Sequence, residues 1–312
     1  MGNLKVNIGG GLVLDNPVMT ASGTFGYGEE FADIIDLNRL GAIIVKGTTL
    51  NHREGNPYPR MAETPSGMLN AVGLQNKGVD YFINNIYPRI KDYQCKIIVN
   101  VSGASIDDYV AVCEKLMPLE RVDGIEVNIS CPNVSAGGAA FGMSCSSANT
   151  VVAAVRAVTT KPLWVKLTPQ SPELNAVALS CIEAGADAIS LCNSFQGVAI
   201  DIETGRPVFD KIKAGFGGPA VRPIAVRLIY ELYEAIQTLP EEKRVPIIAI
   251  GGIATWQDVI EFIMVGATAV EVGTNTFANP FTMIECIDGI EAYMKRKGIA
   301  NLEEIRGISH KK

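Results

Sequence analysis

Eight short apolar runs recur along the chain, each followed by a longer stretch with helical spacing, and this alternation limits the fold more than any other feature. The runs are PVMTAS (17–22), AIIVKG (42–47), KIIVNV (96–101), GIEVNI (124–129), LWVKL (163–167), AISLCN (188–193), PIIAIGG (246–252) and AVEVGT (269–274). All are β-branched or alanine-rich, as strands buried on both faces are. Helical periodicity falls near 28–38, 76–92, 106–117, 147–158, 173–184, 222–237, 255–265 and 280–297. Strand–helix alternation repeated eight times predicts an α/β protein of the (β/α)8 TIM-barrel type. The competing architecture, an open doubly wound sheet, would carry a GxGxxG turn after an early strand. None is present, and Gly9-Gly10-Gly11 within KVNIGGGLVLDNP reads instead as an N-terminal β-hairpin ahead of the first barrel strand. With no Pro- or Ser-rich linker, residues 1–312 are read as one domain.

In such a barrel the chemistry collects at the C-terminal ends of the strands. Those ends present Ser22, Lys46, Asn100, Asn128 with Cys131 and Asn133, Lys166, Asn193 with Ser194, Gly251-Gly252 and Gly273-Thr274. Any one of these taken alone is ordinary turn punctuation. Two lysines closing apolar strands are harder to reduce to punctuation, because a buried ammonium needs an anion or dipole to meet it. Glycine pairs after the last two strands, with Gly217-Gly218 as a further contributor, match the place where many barrels hold a phosphate; tight-turn glycine is the equal alternative for either pair alone. The side-chain amides offer both donor and acceptor to a flat imide-bearing ring, a flavin or a pyrimidine. Lys166 is suited to the charge that develops on such a ring, and Lys46 to sharing that work or meeting a carboxylate. Two connections, 47–75 and 194–221, exceed what a barrel needs and are read as lids or binding loops over this rim.

Only two histidines exist. His52 is read as a loop residue and His310, in the terminal GISHKK, as solvated. If the reaction needs a base, Cys131 leads by elimination, and its activity would rise with pH because a free thiol titrates near about 8.5. The seven cysteines, at 95, 113, 131, 145, 181, 192 and 286, form no CxxC pair and no metal or disulfide pattern. Cys113 and Cys181 sit in apolar helical patterns and are read as buried. A reducing, cytoplasmic setting follows. The balance of 27 Lys plus Arg against 33 Asp plus Glu, net −6, argues against nucleic acid and anionic membranes. No apolar run approaches the roughly 20 residues that span a bilayer.

The ordered motifs ASGTFGYGEE, KGTTL, REGNPYPR, NAVGLQNKG, NISCPNV with its following GG and AFG, VKLTP, GFGGPAVRP, IAIGGI and VEVGT resemble the dihydroorotate dehydrogenases, specifically the class 1B catalytic subunit, from about residue 4 to about residue 298. The resemblance implies a cytosolic FMN barrel that oxidises (S)-dihydroorotate to orotate in pyrimidine (UMP) synthesis. It implies that Cys131 removes the C5 proton while hydride passes from C6 to the flavin, with Lys46 and Lys166 in the catalytic set. Ser22, Lys46, Gly47, Asn100, Asn128, Lys166, Cys192, Gly218, Gly251, Gly252, Gly273 and Thr274 match the FMN contacts, the last four at the phosphate end. Lys46, Asn70, Asn128, Asn133, Asn193 and Ser194, with the backbone of Ala71, Val72, Gly73 and Leu74, match those that hold the substrate. No metal site is implied on this chain. The segment 134–145 corresponds to the active-site loop, with Cys145 incidental. The class forms a homodimer of this chain within a heterotetramer, and electrons reach NAD through a partner subunit carrying FAD and a 2Fe-2S cluster. Departures from the pattern are Thr168, Gln170 and Cys192. The alternatives are a class 1A-like homodimer that uses fumarate and another FMN barrel acting on a different pyrimidine. From the residues alone, a non-redox phosphate-binding barrel with Lys166 as a Schiff-base lysine also stands.

Overall fold

The computed structural model describes residues 2–130 and 141–311. Eight parallel strands close on themselves: β1 (Val18–Thr20), β2 (Ala42–Thr48), β3 (Lys96–Val101), β4 (Gly124–Asn128), β5 (Leu163–Leu167), β6 (Ala188–Leu191), β7 (Ile247–Ile250) and β8 (Ala269–Val272). They neighbour one another in chain order, with β8 pairing β1 and β5 pairing β6. Every expected run contributes a strand, although several stop short of their polar ends: β6 ends at Leu191 and β7 at Ile250, so Cys192, Asn193 and the Gly251-Gly252 pair lie just past the sheet. The Cys192 and Asn193 N–H groups still donate to the Ile250 and Leu167 carbonyls of the flanking strands, which fixes these residues at the mouth.

Helices Ile106–Leu116, Cys145–Val158, Leu174–Glu183, Arg222–Gln237, Trp256–Met264 and Thr282–Lys297 form the outer layer. Their starts are chemically marked. Ser105 and Asp108 make a capping box for the first, and Thr255 with Asp258 makes another before Trp256. Gly298, in the left-handed conformation, ends the last helix. The strands' outward faces and these helices bury one continuous core that includes Trp164, Tyr109, Phe82 and Phe262.

Two expected helices differ. The stretch 28–38 forms only the 3-10 turns Glu29–Phe31 and Leu37–Arg39. Of its apolar side chains only Ile35 and Leu37 are buried, two positions apart and so not on one helical face, and the Asp36 carboxylate accepts from the Asn38 N–H, diverting the backbone into a turn. The stretch 76–92 is helical but broken, with a π-helical segment at Phe82–Ile86 between short α-helical ends.

The N-terminal hairpin, Val6–Asn7 paired with Val13–Leu14, lies across the bottom of the barrel. At Gly9 a Cβ would come within 2.0 Å of the Asp187 carbonyl, so only glycine allows the hairpin this close to the start of β6. His310 is not solvated as expected: its ring stacks on Tyr230 with centroids 3.8 Å apart, and Nε2 lies 3.1 Å from the Val265 carbonyl.

The two long connections meet. Met61–Thr64 and Gly67–Asn70 form a hairpin, Lys213–Gly217 pairs with the second of these strands, and Phe195–Val198 pairs in turn with Lys213–Gly217. This four-stranded antiparallel sheet stands over the barrel mouth with its own small core of Leu69, Ala71, Phe209 and Ala214. The loops that looked like lids are thus one shared structure.

Candidate active site

A cleft of about 240 Å3 opens between the barrel mouth and this sheet. Its floor is built by strand alternation. Glu126 and Asn128 share one face of β4, and both face the barrel interior, where Asn100 Nδ2 donates to Glu126 Oε1 at 2.5 Å. Asn128 Nδ2 donates to Asn100 Oδ1 at 3.4 Å, while Asn128 Oδ1 accepts from the Ser130 hydroxyl at 2.6 Å. Asn193 Nδ2 donates to the same hydroxyl at 2.7 Å. An unbroken chain of side-chain hydrogen bonds therefore runs from the buried Glu126 to Asn193 on the rim, and Tyr109 braces it by donating to the Asn128 carbonyl at 2.7 Å. Each amide's orientation is set by its neighbour, so the polar groups that reach the cleft are pre-positioned.

Lys166, on β5, reaches the cleft from below. Its Nζ lies 3.0 Å from Glu271 Oε2, 3.3 Å from Ser22 Oγ and 3.6 Å from Glu126 Oε1. Burial alone would lower this amine, but the two carboxylates more than offset it and hold Lys166 above the ordinary lysine value. Burial and then the charge of Glu126 push Glu271 well above the ordinary carboxyl range. For Glu126 burial acts in the same direction, yet Lys166 and the surrounding hydrogen bonds together bring it below that range. Cys192, fully enclosed beside this group, is pushed up to about 12 by burial, against a smaller opposing effect of Lys166, and stays a neutral thiol.

Lys46 stands where β2 is irregular: the register with β3 shifts between Val45 and Thr48. That bulge lets two successive residues, Lys46 and Gly47, both line the cleft, which a regular strand forbids. Burial lowers Lys46, with Arg60 adding to the effect and Glu30 opposing it. Opposite, Gly251, Gly252, Gly273 and Thr274 gather with Gly217 and Gly218 of the overlying sheet. Gly252 has φ +78°, and a Cβ there would fall 2.7 Å from both the backbone N and Cβ of Arg222. The backbone can pack this tightly, and so face the cleft bare, only as glycine.

Of the residues expected at the site, Ser22, Lys46, Gly47, Asn70, Val72, Gly73, Leu74, Asn100, Asn128, Lys166, Cys192, Asn193, Ser194, Gly218, Gly251, Gly252, Gly273 and Thr274 all line this one cleft. Ala71 does not. It is buried under the sheet, its N–H donates to the Arg60 carbonyl and its carbonyl accepts from Asn56, so strand alternation turns it away. Cys131, Asn133 and 134–140 of the expected loop lie outside the described residues. Ser130 and Phe141, which flank that segment, are described: Phe141 packs edge-on against Tyr109. Sequence reasoning missed Ser130, the cleft-lining Met61, Met68, Phe195, Phe216 and Phe277, and the supporting acids Glu126 and Glu271. A signal for the acids was present, since each is a lone charge in the middle of a buried apolar strand.

His52 pairs with Glu54 at the exposed surface and takes no part. Cys95, Cys113, Cys145, Cys181, Cys192 and Cys286 are unpaired thiols, and Cys113 and Cys181 are fully buried, as their apolar settings implied. Among the described residues no cluster of ligands fits a metal ion, and no helix is long and apolar enough to cross a membrane.

A family model described as dihydroorotate dehydrogenase matches residues 3–294. The chain is 53% identical over 307 residues to the dihydroorotate dehydrogenase B (NAD(+)) catalytic subunit of Bacteroides thetaiotaomicron, spanning 98% of this chain and 99% of that one. It is 53% identical over 303 residues to the Porphyromonas gingivalis protein of the same name, with 97% and 96% covered. Among solved structures, the dihydroorotate dehydrogenase of Eimeria tenella in complex with ferulenol superposes with a TM-score of 0.79 at 22% identity, covering 99% of this chain and 89% of that one. At that identity the likeness speaks to the fold.

Proposed function

The chain belongs to the dihydroorotate dehydrogenase family, a family of flavin-dependent oxidoreductases, and from that premise we propose that it oxidises (S)-dihydroorotate to orotate as a class 1B catalytic subunit. The observation that carries the reading is the meeting, in one cleft, of a cationic floor amine, an amide-lined rim and a bare glycine cradle. These residues fit FMN. Gly251, Gly252, Gly273 and Thr274 suit its phosphate, while Ser22, Gly47, Asn100, Cys192, Gly218 and Lys166 line the remainder of its site. When bound, the flavin supplies a hydride acceptor and a route for electrons out of the site.

The chain's own work is to bind, orient and remove a proton. Asn70, Asn128 and Asn193 present amides to a pyrimidine ring, Ser194 adds a hydroxyl, and the Lys46 amine meets its carboxylate. Asn133 completes the set of amides. The Cys131 thiolate takes the proton from C5; its chain neighbour Ser130 is held by hydrogen bonds to Asn128 and Asn193. The sheet over the mouth excludes water from one side.

The 53% identity to proteins named as NAD(+)-linked catalytic subunits supports the 1B assignment over fumarate use. A homodimer of this single-domain chain, joined to a partner subunit with FAD and a 2Fe-2S cluster, would complete electron transfer to NAD in the cytoplasm. Apolar side chains exposed along 198–212, Val198 at the end of the strand Phe195–Val198, Ile200 and Ile202 in the hairpin that pairs Ile200–Asp201 with Arg206–Pro207, and Ile212 just before Lys213–Gly217, support a subunit contact there. Anaerobic titration of the purified chain with dihydroorotate tests the reaction: the flavin band bleaches stoichiometrically. Turnover of fumarate by the chain alone, with none of NAD in the partner's presence, would refute the class.

A further inference from the structure

The two carboxyl groups beneath Lys166 raise a charge-balance problem. Glu126 and Glu271 come from β4 and β8, which are not neighbours in the barrel, and both side chains are wholly buried. Lys166 is the only cation paired with either among the described residues. Lys166 and Asn100 account for one oxygen of each acid. Of the others, Glu126 Oε2 and Glu271 Oε1, both are buried; the Ser190 hydroxyl lies beside Glu126, and Glu271 Oε1 has no donor among the described residues. Both carboxyls converge on one amine, Glu126 Oε1 at 3.6 Å and Glu271 Oε2 at 3.0 Å from Lys166 Nζ, which sets the two acids side by side. Two ionised carboxylates have no hydrogen to share, so a bond between them requires a proton. A second uncompensated negative charge in a dry interior is also far more costly than taking up that proton.

We infer that Glu126 and Glu271 hold one proton between them, forming with Lys166 a neutral three-residue unit that keeps the lysine charged and pins its amine at the cleft floor. Neither acid lines the cleft, so both are positioning residues that act through Lys166. The groups facing the unit are few: the Ser22 and Ser190 hydroxyls and the Asn100 amide do not titrate, and the Cys192 thiol remains neutral. Lys166 then presents an already organised positive charge to the ring bound above it, with a carboxyl pair behind it that can change its proton count as charge develops on that ring. The part concerning the ring rests on the function proposed above; the shared proton does not.

The test is infrared spectroscopy of the holoenzyme at about pH 7, with 13C-carboxyl glutamate to separate protein bands from carbonyls of any bound ring. A protonated glutamate carboxyl band is expected in the native protein. It disappears in Glu271→Gln and equally in Glu126→Gln, because the remaining acid then ionises against Lys166. Each single variant keeps one negative charge and one hydrogen-bonding amide, so FMN affinity stays near native. In the double variant Lys166 loses its counter-charge, and affinity falls by about tenfold or more, the loss of one charge-assisted hydrogen bond. Absence of the band in the native protein, which needs no variant to fold, would overturn the shared proton. So would its persistence in both single variants. Equal affinity in the double variant would overturn the positioning of Lys166. A protein that shows the band but takes up no FMN would refute the functional reading and leave the proton pair standing.

Discussion

Replacing Lys166 with Met tests the electrostatics of the floor most directly, because methionine keeps the unbranched stem and removes only the charge. One carboxylate then stays in the barrel interior without its cation. At an effective dielectric of about 20, the attraction lost at a separation of 3.6 Å is about 4.6 kcal/mol. The acid pair has a cheaper escape, which is to take up a second proton. From an ordinary glutamate value of about 4.3, protonation at about pH 7 costs about 3.7 kcal/mol, at about 1.36 kcal/mol per pH unit. The cheaper route sets the ceiling, so the variant loses about 3–4 kcal/mol at neutral pH. That amounts to about 7 °C in Tm at about 2 °C per kcal/mol for a chain of this size. In the variant the buried acid has a folded-state pKa raised above its unfolded value, so the associated stability is present below the unfolded value and lost as pH rises. The gap between variant and native protein therefore narrows by about 1.4 kcal/mol for each unit of acidification, to about 1 kcal/mol near pH 5. Urea unfolding across that range measures it. A deficit that does not change with pH, or one below about 1 kcal/mol at neutrality, would show that Lys166 is not the counter-ion of this interior.

Three further outcomes are expected of the site. Cys131→Ala retains FMN but slows flavin reduction by dihydroorotate in stopped-flow by about 100-fold or more, the usual worth of a general base; native-like bleaching would remove the thiol from the mechanism. Gly252→Ala, with φ +78° and a Cβ 2.7 Å from Arg222, loses about 1–3 kcal/mol of stability and weakens FMN binding in parallel, read by thermal melts and flavin fluorescence. Because burial lowers Lys46, its charge is lost as pH rises through that depressed value, so orotate binding weakens at alkaline pH. In Lys46→Met, affinity is lower throughout and this alkaline decline is gone; a decline that survives the substitution would assign it to another group.

How much could be read from the chain alone depended on the range of the interaction involved. LWVKL and KIIVNV name their strands to the residue, because an apolar β-branched run flanked by Pro or polar residues is decided locally. The stretch 28–38 misled because its apolar residues imitate a helical face, while the Asp36 turn that breaks the helix is a single side-chain bond. Ala71 was carried toward the site for its backbone, whose N–H and carbonyl the fold engages with Arg60 and Asn56, partners more than ten residues back in the chain. His310 looked solvated in a charged terminus; the aromatic pair that covers its ring lies some distance back in the chain, on the helix Arg222–Gln237.

Local pattern in the sequence was enough to establish the strand–helix alternation, the polar strand ends and the glycine pairs, and with them the barrel and the rim on which its chemistry sits. Closure of the barrel decided the rest. It brought Glu126 and Glu271 together under Lys166, and it paired 61–70 with 195–217 into one sheet over the mouth. Local order reflects backbone geometry and the spacing of apolar side chains, which a short window of sequence records. Which buried charge meets which depends on strand register around a closed ring, and no short window contains both partners.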